Sequence, residues 1–177
     1  MGVTEATSED THSIAAKLRD SQLRTLPADA RIDALVALAG ELLALAEHGN
    51  VDALASSSGL SPDMTRWALR TTFDTVTAAS LSALLASTEL PGHRAVPVGL
   101  ATVLLSGNVL TAPARALLLP LLMGVPVVAR VSSREQAFAA FLRERLSDGC
   151  PSMQALAESL ALVAIDPRSG EVLAFVS

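Results

Sequence analysis

The spacing of apolar residues along this chain changes at about residue 92. Before it, they recur at helical intervals; after it, they gather in short β-branched runs with helical stretches between them. Residues 1–9 read as a polar tail. A first helix is predicted from Asp10 to about Leu23, stopped by Leu26-Pro27. Asp29 to Ala46 follows as a longer amphipathic helix, its stripe carried by Ile32, Leu35, Leu38, Ala39 and Leu42, with Arg31, Asp33, Glu41 and Glu47 on the wetter side. Val51 to Ser57 is predicted as a short helix closed by Gly59. Ser61-Pro62-Asp63 supplies a cap, a first-turn proline and an acid at the positive end of the dipole. The helix it starts is expected to reach about Ser87 unbroken, through Trp67, Leu69, Phe73, Val76, Leu81 and Leu84. Pro91-Gly92 then divides a helical N-terminal segment, residues 10–91, from an α/β part, residues 92–177.

The α/β part is organised around Val96 to Glu135. Val98 to Leu105 reads as a buried strand that ends in Ser106-Gly107-Asn108. A helix is predicted from Thr111 to Met123, with Pro113 in its first turn and Gly124 just past its end. Val125 to Val131 reads as a second strand. Two strands joined by a helix make a βαβ unit, with parallel strands and a right-handed crossover. Arg134 to Leu146 is the next helix, with Ala137, Phe138, Phe141 and Leu142 inward and Arg143, Glu144 and Arg145 outward. Ser152 to Ser159 is a short helix, and Leu160 to Ile165 a third strand. The Asp166 to Gly170 turn leads into a fourth strand, Glu171 to Val176, leaving an open sheet edge that something must cover.

Composition narrows the picture. At 177 residues the chain suits one domain with a real core, and a half-hydrophobic sequence with 3% aromatics must build that core from Ala, Leu and Val. A net charge of −5 with no basic run argues against nucleic acid. One cysteine, Cys150, excludes an internal disulfide and suits a reducing cytoplasm, and a polar, acidic N-terminus does not resemble a targeting peptide. No charge occurs from Ala95 to Ala114, close to the length of a bilayer span. Pro97, Gly99, Gly107 and Pro113 interrupt that window, so a buried βαβ core explains its hydropathy better than a span does.

Two strand ends could carry chemistry. Asn108 lies just beyond the C-terminal end of a predicted parallel strand, where ligands bind in open α/β sheets; its amide could donate to a developing oxyanion, or it could merely accommodate the turn or cap the helix. Arg130 closes the second strand ahead of Ser132 and Ser133. A guanidinium with two hydroxyls suits a sugar or phosphate, while the alternative is a surface ion pair with Glu135 or another carboxylate. No Gly-x-Gly-x-x-Gly and no Walker loop is present. His12, His48 and His93 lack ligand spacing. As a nucleophile, Cys150 would need an electropositive setting, and Asp148 is nearer to it than Arg143 or Arg145.

VLLSGNVLTAPARALLLPLLMGVPVVARVSS resembles the first βαβ unit of the aldehyde dehydrogenase superfamily. Its Gly-Asn turn and Arg-Val-Ser-Ser ending more nearly resemble the acyl-CoA reductases of the bacterial luminescence fatty-acid reductase type. The resemblance implies an α/β fold, a helical segment followed by a partial parallel Rossmann-like sheet of the aldehyde dehydrogenase type. It further implies that Asn108 stabilises the oxyanion and that Leu105, Ser106 and Gly107 run along the nicotinamide side of the cofactor. Arg130 stands where the family usually has a Lys that holds the adenosine ribose, with Ser132 and Ser133 beside it. Ser133, in place of a Glu common among relatives, removes repulsion toward a 2′-phosphate, so NADP(H) is expected at least as much as NAD(H).

In that family a downstream Cys thiolate takes up the acyl group and hydride from the cofactor releases the aldehyde. This chain has no such Cys, so it reads as an N-terminal cofactor-binding part that cannot run the thioester chemistry alone. The competing reading is a non-catalytic scaffold or cofactor-binding remnant that pairs with another chain, either a missing catalytic half or a second copy.

Overall fold

The computed structural model describes residues 15–89, 91–93, 96, 98–106, 109–132, 137–165 and 172–176. Helix α1 is described over residues 15–19 and is followed by a 3-10 turn, Gln22–Arg24, whose Leu23 is buried. Helix α2, Ala28–His48, buries Ile32, Leu35, Leu38, Ala39 and Leu42, as the stripe predicts. Helix α3, Asp52–Ser58, ends at Gly59, whose φ of 71° lies in the left-handed region that favours glycine.

The long helix expected from Ser61 to Ser87 is two. Helix α4 runs Pro62–Phe73, with the Ser61 side chain accepting from the Met64 amide. Helix α5 runs Ala78–Ser87 behind a capping box in which Thr77 and Ser80 satisfy each other's amides. Thr75, Val76 and Thr77 are β-branched and disfavour a helix interior, while Thr77 with Ser80 offers a second start. Apolar spacing that carries through the break hides it from a periodicity reading.

Strand β1, Ala101–Leu104, is shorter than the predicted run. Helix α6, Ala112–Leu122, ends in a Schellman motif: Gly124, at φ 76°, donates to the Leu121 carbonyl at 3.0 Å and Val125 donates to Pro120 at 2.9 Å. Strand β2 is Val127–Val131; Pro126 has no N–H for the ladder, but its carbonyl accepts from the Ala101 amide at 2.9 Å. Helices α7, Ala137–Asp148, and α8, Pro151–Glu158, lead to strand β3, Leu160–Ile165. Strand β4 is Val172–Val176. The sheet order is β1-β2-β3-β4; the first three strands are parallel and β4 is antiparallel to β3. The protein is thus α/β with three parallel strands.

Burial alternates along β1 and β2, so one face of the sheet carries the core. Val103, Ala129 and Leu162 share a register position on that face; Ala129 and Leu162 belong to one hydrophobic cluster with Leu38, Leu42, Leu69, Leu117, Leu121 and Leu142, and the partly buried Val103 packs against it. On the other face Leu104 pairs with Arg130 and is 73% exposed.

Arginine side chains tie the layers together. Arg31 is not on the wet side of α2: its Nε donates to the Leu122 carbonyl at 2.8 Å and its Nη1 to the Leu26 carbonyl. It thereby clamps the C-terminal end of α6 to the turn before α2. Arg143, expected outward, donates from Nε to the Leu160 carbonyl at 3.1 Å. Desolvation lowers the pKa of both groups from the ordinary arginine value. Arg66 donates to the Gly49 carbonyl at 3.0 Å and to Ala46, which Arg70 also reaches, so two cations close the negative end of α2. Arg145 lies over the Phe141 ring, 5.4 Å from its centroid.

Candidate functional site

The parallel pairing of β1 with β2 brings two of the sequence motifs side by side. Leu104 is in register with Arg130, and the Leu105 amide donates to the Arg130 carbonyl at 2.9 Å. The C-terminal end of β1, with Leu105 half-buried against the core and Ser106 exposed, therefore adjoins Arg130 and Ser132, both partly buried, at the end of β2. This is the sheet edge where open α/β folds take ligands. Arg130 and Ser132 offer guanidinium and hydroxyl donors there. Gly107, Asn108 and Ser133 lie outside the described residues, as does Glu135, the ion-pair partner considered for Arg130.

Chemistry-bearing residues elsewhere stand apart. His48 and His93 are exposed, and His48 approaches Glu47 at 3.6 Å. Cys150 is exposed at the head of α8, on neither of the strand ends above. Among the described residues no cluster of His, Cys, Asp and Glu could hold a metal ion. No described helix is long and apolar enough to cross a membrane.

The sequence reading missed a cavity of about 610 Å³ between the helical segment and the head of α6. Its deep wall is buried and apolar: Leu35 of α2, Phe73 of α4, Leu81 of α5, and Ala114 and Leu118 of α6. Its rim is open, with Leu84 39% and Val109 57% exposed. Thr72, Thr75, Ser80, Thr111 and the exposed Arg115 are the polar residues of the lining. Val109, which lines the cavity, is the residue after Asn108 in the sequence. The α4/α5 break helps to form this space, since it supplies Thr75 and Val76 and sets Leu81 and Leu84 on a separate helix. The available signal was the β-branched Thr75-Val76-Thr77 run followed three residues on by Ser80.

The described residues thus hold a polar pair of strand ends and, lined by other residues, an apolar pocket of a size typical for small-molecule ligands. A model of the acyl-CoA reductase (LuxC) family matches residues 78–174. The chain belongs to that family. The match covers more than half of the chain, including α5, the βαβ unit and β3. No curated protein and no solved structure gives a significant match. Membership supports a fatty-acyl reductase-like role, and Ser80, Leu81, Leu84 and the α6 wall of the cavity all fall within the matched span.

Proposed function

We propose that this chain is the acyl-receiving and cofactor-receiving part of an NAD(P)H-dependent acyl-thioester reductase, with a Rossmann-like sheet of the aldehyde dehydrogenase type. The observation that carries the reading is the apolar cavity against α6, the helix that follows Asn108 in the sequence. An acyl chain has the chemistry of its lining: a long apolar body and one polar end, which would be directed to the turn. There the Asn108 amide donates to the thioester carbonyl oxygen, where negative charge develops as the carbonyl is attacked. One such donor contributes about 3–4 kcal/mol to the transition state.

The residues at the ends of β1 and β2 fit a dinucleotide. Arg130 and Ser132 are partly buried donors beside an exposed Ser106, suited to ribose hydroxyls and phosphate, with Gly107 and Leu105 along the nicotinamide side and Ser133 near the adenosine ribose. Ser133 brings no negative charge against a 2′-phosphate, which favours NADP(H) at least as much as NAD(H). The cofactor supplies hydride to the acyl carbon. Cys150, exposed at the head of α8, is not among the residues that line the cavity, and it is not assigned as the nucleophile that accepts the acyl group.

Titration of the purified chain with NADPH and NADH, followed by nicotinamide fluorescence, tests the cofactor site. Arg130→Ala should weaken binding by about 1–3 kcal/mol, the scale of a lost charge-assisted bond, with the fold intact. Unchanged binding by that variant removes Arg130 from the site. A second reading, a scaffold that pairs with another chain, is favoured by the exposed Leu104 and Val98 in and just before β1, the terminal strand of the sheet among the described residues. Sedimentation of the chain alone, showing a monomer at all concentrations, would argue against pairing with a second copy.

A further inference from the structure

We infer that this segment sets the length of acyl chain the reductase accepts, with Phe73 and Ala114 as the stop at the buried end of the cavity; the inference rests on the acyl-chain reading above. Exposure grades the lining from mouth to floor. Leu84 and Val109 are open to solvent, Leu81 and Leu118 are nearly covered, and Ala114 and Phe73 are 2% and 1% exposed. Phe73 and Ala114 are the most buried of the lining residues, so a chain laid in over the open pair ends against them.

The two ends differ in how firmly they are held. Phe73 and Ala114 belong to the same hydrophobic cluster as α2 and the sheet, and a close-packed interior does not yield to an extra methylene without strain. Helix α5, which carries Leu81 and Leu84, buries only Leu81 among its residues. A chain laid along it would cover Leu84 and Val109, apolar surface that the protein otherwise leaves wet.

The test is a binding series with straight-chain fatty acids of roughly six to eighteen carbons, read by displacement of a fluorescent fatty acid from the 177-residue chain. Affinity should rise about fourfold per added methylene and then stop rising at one length. Ala114→Phe should bring that stop several carbons earlier; two methylenes left unburied already cost about 15-fold in the longest acids. Ala114→Val makes the smaller step at the same position should the Phe variant not fold. Leu84→Gln, at the mouth, should weaken all lengths alike and leave the stop where it was. Saturating binding whose length limit is the same in both Ala114 variants and the parent overturns the stop and leaves the acyl-chain reading standing. No binding of any acid by the folded parent overturns both, whatever the nucleotide titration gives.

Discussion

Arg31→Met removes the clamp between α2 and α6 while keeping most of the apolar stem that packs there. Arg31 makes two bonds to backbone carbonyls, Leu122 at 2.8 Å and Leu26, and bonds of this charge-assisted kind contribute about 1.5–3 kcal/mol each. Because the guanidinium is only partly buried, water can replace some of what is lost, and the lower end of that range applies. A net loss of about 2 kcal/mol follows once resolvation of the two carbonyls is allowed for. In a chain of this size that lowers Tm by about 4–8 °C. Urea and thermal unfolding followed by circular dichroism would measure it, with Asp33→Ala, an exposed site on the same helix, as the reference expected to stay within about 0.5 kcal/mol. Arg31→Lys should fall between the two, since an ammonium keeps the charge but not the two-pronged geometry. If Arg31→Met unfolds with Asp33→Ala, the clamp is a surface contact and the account of the α2–α6 junction is wrong.

Gly124→Ala should cost about 1–2 kcal/mol for forcing a side chain into the left-handed region, and its Cβ would stand 3.2 Å from Arg31 Nη1; combining it with Arg31→Met should give less than the sum of the two losses, readable in the same unfolding assay. Thr77→Ala, which removes one side of the capping box before α5, should cost about 1 kcal/mol and weaken fatty-acid binding, because α5 forms one wall of the cavity. Cys150→Ser should change neither nucleotide binding nor stability by more than about 0.5 kcal/mol, as expected of an exposed residue.

The α/β order of the chain could be read because its punctuation is local. Pro62 behind Ser61, Gly59 and Gly124 in the left-handed region, and Leu160 to Ile165 as a strand all follow from short-range sterics and capping. The strand ends of β1 and β2 were legible for the same reason, since parallel pairing across a crossover helix brings Leu105 and Arg130 together. What escaped depends on partners distant in sequence. Arg31 and Leu122 are 91 positions apart, and nothing near Arg31 distinguishes it from the solvated charges on the same helix. Trp67 is an apolar residue at a helical position, yet it is 61% exposed. The cavity is the furthest from sequence, being the space left among four helices rather than a property of any one.

The sparse burial of α5 also bears on how the molecule moves. An element anchored by one buried leucine belongs to the part of a fold that opens locally at low free energy, so its amides should exchange with solvent ahead of those in α2 or β2. A ligand that packs on such a helix acts as its missing core: at one hundred times its dissociation constant it adds about 2.7 kcal/mol to the closed state. Slowed exchange across Ala78–Ser87 would then report occupancy of the pocket directly, without any turnover.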